Sequence, residues 1–335
     1  MKIAVDAMGG DKAPEEIVSG ALQAAEKYKV DILLVGDAGE IQNCCGSLPG
    51  RVEVVPASEV IEMGERPAAA LRKKKDASIA VATQLAKDGK ADAVVSAGST
   101  GAQMAAALIL LGRIPGVQRP AIATVLPGAS GPKLLLDVGA NTDCRPHNLV
   151  EFAIMGSAYA ESVLGISSPL VGLLNIGTEP SKGNELTRQA FSLLEKAGIN
   201  FYGNIEPRDI PIAETSVIVC DGFVGNAMIK FGEGLAKLFY DRLRSAVKKS
   251  LLTQFGGILM LSGLKEMGRQ LDWQEYGGAP LLGVNGVSVV CHGSSEAKAV
   301  KNAVGVAVRC VENGFVQKVY DSIRMEEKVG ACQWE

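Results

Sequence analysis

The chain has 335 residues, 47% of them hydrophobic and 21% charged, with a formal net charge of −3. That supplies ample apolar side chain for one large core or two lobes, and gives no general case for a nucleic-acid partner. Two histidines exclude a multi-histidine metal site, no apolar run reaches membrane-span length, and seven cysteines with no CxxC pair and no signal sequence predict free thiols in a reducing, cytoplasmic compartment.

Lys2 to Val5 predicts a first strand running into Asp6-Ala7-Met8-Gly9-Gly10-Asp11. Two carboxylates bracketing a glycine pair at a strand's end suit a cap, a base or a metal ligand, the cap being the commonest use. The spacing is not GxGxxG, which counts against a standard dinucleotide site. Pro14 predicts a helix start. Strands follow at Asp31 to Val35 and Val52 to Val55. The chain then turns charged, and Arg72-Lys73-Lys74-Lys75 is its densest basic run: a solvated helix face, or a contact for phosphate or an acidic partner.

Asp76 to Lys87 predicts an amphipathic helix, and Ala93 to Val95 a buried strand. Next comes Ser96-Ala97-Gly98-Ser99-Thr100-Gly101-Ala102, then a helix from Gln103 to Leu111. Gly98 and Gly101 allow a tight turn and close approach of a ligand, three hydroxyls crowd the spot, and a helix N-terminus favours an anion. Ala121 to Val125 and Leu134 to Val138 are strands around a Gly/Pro turn, and the second ends in Asp137-Val138-Gly139-Ala140-Asn141. A long helix, Asn148 to Val163, has His147 in its first turn, where an imidazole can donate a hydrogen bond, act as a base or simply pack.

Leu170 to Ile176 predicts a strand leading to Gly177-Thr178-Glu179-Pro180-Ser181-Lys182-Gly183, where a lysine can meet phosphate as a point charge. Asn184 to Ala197 is helical and Asn200 to Tyr202 a short strand. The strand Ser216 to Val219 ends in Cys220-Asp221-Gly222-Phe223-Val224-Gly225-Asn226, with a helix from Ala227 towards Lys248. Leu251 to Leu264 is uncharged, flanked by Arg242, Arg244, Lys248 and Lys249 before it and Lys265 and Arg269 after it. Phe255, Ile258 or Leu259, and Ser262 recur at helical spacing. That suits an element lying in a membrane interface, or packing in a dimer, with Gly256-Gly257 expected to divide it into two short helices. Gly286 to Cys291 is a strand followed by His292-Gly293-Ser294-Ser295, with Ser294 a natural cap for the helix Ala297 to Val311. A charged tail is expected beyond Tyr320.

Six strand ends thus carry glycine with polar residues: at Asp6, Ser96, Asp137, Asn175, Cys220 and His292. In a parallel sheet such ends share one edge, which predicts a single cleft lined by six loops. The loops offer N–H and hydroxyl donors but neither a Walker loop nor a GxSxG elbow, favouring chemistry in which the substrates supply the nucleophile and the protein supplies position and charge stabilisation. Cys220 and Cys291, also at strand ends, are either nucleophiles or, more commonly for free thiols, small buried hydrophobes.

The motifs DAMGGD, SAGSTGA, DVGAN, NIGTEPSKG, VCDGFVGN and HGSS, in this order over residues 1 to about 320, resemble the bacterial phosphate acyltransferase family. The resemblance implies a three-layer α/β/α fold like the isocitrate and isopropylmalate dehydrogenases. It implies a homodimer with sites near the subunit interface. It also implies transfer of an acyl group from acyl-acyl carrier protein to inorganic phosphate. The acyl phosphate would pass to a membrane glycerol-phosphate acyltransferase in phospholipid synthesis, with no cofactor or metal. One departure is Ser99, where asparagine is usual. Within that activity Lys182, Asn226 or backbone N–H groups are expected to polarise the thioester carbonyl, and His292 or Asp6 to take the phosphate's proton. Gly9, Gly10, Ser96, Gly98, Ser99, Thr100, Gly101, Asn141, Gly183, Asp221, Gly222 and Ser294 are expected to bind substrate, and Phe255, Ile258 and Leu259 to touch membrane. The expected organisation is a domain over 1–320, a protruding helical hairpin over 240–275 and a tail over 321–335, in a cytoplasmic protein peripheral to the inner face of the membrane. Alternatives are a short-chain phosphate acetyl- or butyryltransferase, a decarboxylating dehydrogenase of the same fold, and a non-catalytic anion-binding scaffold.

Overall fold

A computed structural model describes residues 1–46, 48–271, 275 and 277–332, the side chains of 265, 269–271 and 327–332 excepted. The side chains of Lys265 and Arg269, expected to flank the apolar segment, therefore lie outside the described residues. Eleven strands form one sheet in the order β3-β2-β1-β4-β11-β10-β5-β6-β9-β7-β8. They are β1 (Lys2–Asp6), β2 (Asp31–Gly36), β3 (Val52–Pro56), β4 (Ala93–Ser96), β5 (Ala121–Leu126), β6 (Lys133–Leu136), β7 (Val171–Leu174), β8 (Phe201–Ile205), β9 (Val217–Val219), β10 (Ala279–Leu282) and β11 (Val287–Val290).

The sheet is not uniformly parallel. β1, β2, β3, β4 and β11 run one way. β10 is antiparallel to β11 and to β5, and β5 is antiparallel to β6. The second parallel set, β6, β9, β7 and β8, therefore runs opposite to the first. β10 was not legible in the sequence: Pro280 among Gly277, Gly278 and Gly283 reads as loop. Yet this short strand, with β5, forms the antiparallel joint between the two sets.

Side chains alternate along the buried strands and fill two layers. Ile3, Val5, Ile32 and Leu34 pack under α1 (Glu15–Tyr28) and α2 (Ala38–Cys45). Ala4, Leu33, Val35 and Val94 face α3 (Pro67–Lys73), α4 (Ser78–Lys87) and α5 (Thr100–Ala106). In the second set Leu134, Leu136, Val217 and Val219 pack with α6 (Pro146–Ser162) and α7 (Glu185–Leu194), whereas Leu135, Ile218 and Cys220 face the start of α8 (Gly222–Val247). The result is the expected three-layer α/β/α arrangement. One layer has α3–α5 over the first strand set and α8 over the second, and the site lies between them.

Three expectations change at the periphery. Gly256-Gly257 does not break the apolar segment: α9 (Leu251–Leu259) runs through both glycines, Gly257 facing Val247, and the chain turns at Met260 into α10 (Leu261–Leu271). α11 (Ala297–Glu312) is preceded by Glu296, not capped by Ser294, and its Ala297 N–H donates to Glu16 Oε2 at 2.7 Å. Beyond Tyr320 the chain continues as α12 (Phe315–Cys332), with Val319 and Ile323 buried and Phe315 edge-on to Tyr159 at 5.4 Å.

Candidate active site

Because the two strand sets run in opposite directions, the six glycine-bearing ends do not share one edge. They form two groups. The first joins the ends of β1, β4 and β11. Ser96 Oγ donates to Asp6 Oδ2 at 2.6 Å and accepts from Gly98 N–H at 3.0 Å. The Asp11 N–H donates to Gly293 O at 2.7 Å, tying in the His292 loop. Gly9 is required here by close approach: a Cβ would stand 2.6 Å from Asp6 Oδ2 and 2.7 Å from the Gly98 nitrogen. Gly10 has φ +117°, in the region that favours glycine. Ser99 caps α5, accepting from Ala102 N–H at 3.4 Å, with Thr100 exposed beside it and Gly101 against Pro67.

Asp6 does not suit the expected role of base. It is 2% exposed and lies beneath Gly9 and Gly98, so it acts on the turn through Ser96 rather than on a substrate. Burial raises its carboxyl above the usual carboxylate range, hydrogen bonds from Ser78 and Ser96 opposing that rise. The folded protein then holds this proton more tightly than the unfolded chain. Stability is expected to be highest below the ordinary carboxylate pKa and to fall as pH rises from there through the raised value. Urea melts across that range should show this slope in the wild type and a smaller one in Asp6→Asn.

His292 is exposed, and its Nδ1 accepts from Ser294 N–H at 3.2 Å and lies 2.8 Å from Ser294 Oγ. With a backbone N–H directed at Nδ1, the neutral ring carries its proton on Nε2 and is a donor rather than a base. Ser294 thus holds the Nδ1 side of the His292 ring.

The second group lies at the ends of β6, β9 and β7. Asp137 is fully buried, and its carboxylate accepts from the N–H groups of Ile122, Gly139, Ala140 and Asn141 and from Asn141 Nδ2, at 2.7–3.2 Å. Gly222 N–H donates to Asn141 O at 2.7 Å. Asp221 caps α8, so Gly222 and Asn226, expected in a loop, belong to its first turns. Asn226 stands beside Gly139. Asn175 Nδ2 donates to the Lys182 carbonyl at 3.1 Å, and Gly183 (φ +92°) packs on Asn175 and Thr187. The Lys182 side chain is 49% exposed and 3.9 Å from Glu179, so it is a surface cation rather than a buried one.

Between the groups runs α5 with the π-turn that extends it, Ala107–Leu111. Ala107 packs with Ile122 and Leu281 of the central strands and with Val138 and Ala140. Beside this helix opens a pocket of about 510 Å³, lined by Met104 and Leu108 on one side and Asn141 and Asn148 on the other, and ringed by Arg113, Arg119 and Arg145. Asp143 is the one carboxylate in the lining. The Asn141 loop lines this pocket, whereas the Ser99–Gly101 turn, one helical turn before Met104, and Lys182, Asn226 and His292 are not among its lining residues. Sequence reading missed these arginines. Arg113 and Arg119 lie in a Gly/Pro-rich connection, LGRIPGVQRP, and Arg145 precedes Pro146; the available signal was basic residues recurring in loops of a slightly acidic chain. Arg113 donates to Gln118 O at 2.6 Å, and buried Glu151 accepts from Gln118 and Arg119 N–H groups at 3.1 and 3.3 Å, which fixes the loop. His147 lies behind this loop, its Nε2 3.7 Å from Glu151 Oε1.

Neither candidate thiol is set up as a nucleophile. Burial pushes Cys291 up to about 12 and Cys220 well above its ordinary value. Cys220→Ala and Cys291→Ala are each expected to keep most activity, and intact-mass analysis should find no acyl-enzyme. Among the described residues no cluster of His, Cys, Asp or Glu is placed to hold a metal.

Comparison with known proteins shows the family and the fold. The sequence model of the fatty acid synthesis protein family matches residues 1–318. A phosphate acyltransferase of Moorella thermoacetica is 56% identical over 337 residues, 99% of each chain. One from Desulfitobacterium hafniense is 55% identical, covering 95% of this chain and 96% of that one. In fold the chain is similar to a phosphotransacetylase from Staphylococcus aureus (TM-score 0.62, 18% identity, 93% and 94% covered) and to one from Streptococcus pyogenes (TM-score 0.63, 18% identity, 93% and 94% covered). With a family match over nearly its whole length and relatives that share more than half its residues, the chain belongs to the fatty acid synthesis protein family and is an acyltransferase of the phosphate acyltransferase kind.

Proposed function

We propose that the protein transfers a fatty acyl group from acyl-acyl carrier protein to inorganic phosphate, giving acyl phosphate for glycerol-phosphate acylation in phospholipid synthesis. The observation that carries this is the pocket beside α5, where three guanidinium groups face two asparagines across a space of about 510 Å³. Arginine presents a fork of donors matched to phosphate oxygens. Held there, phosphate dianion needs no base. One of its oxygens bonds to the thioester carbonyl carbon, the carbonyl oxygen takes up charge, and the C–S bond then breaks with the thiolate leaving. Guanidinium N–H groups of the same arginine ring stabilise the oxyanion. The departing thiolate takes its proton from the P–OH of the newly formed acyl phosphate, so the step balances without a proton from His292.

Two surfaces fit the rest of this reading. Phe231, Leu235, Leu238 and Phe239 are all more than half exposed on α8 at positions i, i+4, i+7 and i+8, one face of a helix that a second copy of the chain would cover. Beyond it Phe255, Ile258 and Leu259 are 62–69% exposed on α9, next to the basic end of α8. No helix among the described residues is long and apolar enough to cross a membrane, so this tip would lie in the interface of anionic lipid. Leu259→Glu should abolish sedimentation with anionic liposomes while leaving the dimer and turnover of carrier-bound substrate intact; loss of the dimer instead would place the tip in the subunit interface.

The likeness to phosphotransacetylases favours one second reading, transfer of a short acyl group from a coenzyme A thioester. Steady-state kinetics with palmitoyl-carrier protein and with acetyl-coenzyme A separates the two. A higher kcat/KM for the carrier-bound long chain is expected, and the reverse order would favour the short-chain reading.

A further inference from the structure

On the side of α5 away from the arginine pocket lies a second groove, of about 490 Å³. Its floor is apolar, from Leu71 of α3, Val81 and Leu85 of α4, and Ile109 and Leu110 of the π-turn. Ile109 is 55% exposed, an unusual position for a large aliphatic side chain beside a core. The rim carries Arg72, Lys75 and Lys90 against one carboxylate, Asp88, which lies 4.0 Å from Lys90. In a chain of net charge −3 this is a local concentration of cations on an apolar surface.

The structure also divides the basic run that the sequence presented as one feature. Lys74 turns inward, donating to Val60 O at 2.7 Å and pairing with Glu65 at 2.5 Å. Lys73 is exposed but does not line the groove, whereas Arg72 and Lys75 do. The groove is mechanically joined to the site. Pro67, the first residue of α3, packs against Gly101 in the first turn of α5. Ile109 lies nine residues along from Thr100, about 14 Å at an α-helical rise.

We propose that this groove is the docking site for the protein that carries the acyl thioester, an acidic partner that lays the apolar face of a helix over Leu71, Leu85 and Ile109 and sets its carboxylates against Arg72, Lys75 and Lys90. The inference rests on the reading that the donor is carrier-bound. Charge complementarity selects this occupant. A bare acyl chain has nothing to offer three cations, and a free phosphate has no use for the apolar floor. The groove, with Ile109 and Leu110, and the arginine pocket, with Met104 and Leu108, lie on opposite sides of the same helix, which suits a donor whose thioester sits at the end of a long flexible prosthetic arm that reaches round it.

The test compares one acyl group on two carriers, acyl carrier protein and plain pantetheine, with the full chain. In Arg72→Glu/Lys75→Glu, KM for the carrier-bound donor should rise on the order of ten-fold at low salt, less at high salt, and several-fold more than KM for the pantetheine thioester. Ile109→Asp should raise the same ratio without the salt dependence, and a melting curve shows whether it is folded; the charge-reversal pair stands independently if it is not. If the wild type makes no acyl phosphate from the carrier-bound donor, the functional reading fails. If the wild type does so and the charge-reversal pair has an unchanged KM ratio, the docking site alone is wrong. A changed subunit mass in the charge-reversal pair would make the groove a contact between copies of this chain and would also overturn the proposal.

Discussion

Asp137→Ala should be the most damaging single change to the fold, lowering unfolding free energy by about 4 kcal/mol or more, since each buried donor left without a partner costs roughly 1–3 kcal/mol. The carboxylate receives the N–H groups of Ile122, Gly139, Ala140 and Asn141 and the Asn141 amide. These come from β5 and from the loop that closes the arginine pocket, so one side chain holds two segments in place. Water entering the vacated space would satisfy some donors, which is why the expected loss is less than the sum. Asp137→Asn keeps one acceptor oxygen, but sets an amide N–H₂ against other donors; a smaller, still clear loss is expected. Urea denaturation of both variants against wild type measures this. A loss under 1 kcal/mol in Asp137→Ala would show that the loop is held by other contacts.

The second large effect is on phosphate use. Arg119→Ala and Arg145→Ala should each lower kcat/KM for phosphate on the order of ten-fold, and together about a hundred-fold, because each removes a charge-assisted contact to the dianion. Both side chains are exposed at the pocket rim, which keeps the single effects moderate. The KM for the acyl donor should move little. Lysine at either position should recover part of the loss, since it restores the charge without the planar fork. An equal effect on both substrates would mean that the arginines hold the pocket's shape rather than the phosphate.

Much of this arrangement was legible in the sequence, for a physical reason. A strand that ends in glycine with Asp, Ser or Asn announces itself through local chemistry: φ freedom, a cap, close approach. Asp6, Ser96, Asp137 and Asn175 read as strand-end residues from the sequence, and each makes the loop bonds that such a position calls for. What was not legible is global. Which way a strand runs is set by its neighbours, and β10, a Gly-flanked segment of four residues that contains a proline, pairs antiparallel with β11 and β5 and, with β5 against β6, turns one expected edge into two. Charge in space is also hidden. The run Arg72–Lys75 drew notice because it is contiguous, yet one of its lysines is spent on Glu65, while Arg113, Arg119 and Arg145 converge from separate loops. The exposure of Lys182 and the burial of Asp6 likewise follow from packing, which a motif does not report.

The direct test of acyl transfer to phosphate is an oxygen-tracing experiment. The wild-type protein is incubated with acyl-acyl carrier protein and phosphate fully labelled with oxygen-18, and the product is analysed by mass spectrometry and phosphorus NMR. Direct attack predicts acyl phosphate that retains every labelled oxygen, with the label bridging carbon and phosphorus and no acylated protein at any time. No acyl phosphate, or an acylated enzyme that forms and decays as product appears, would contradict it.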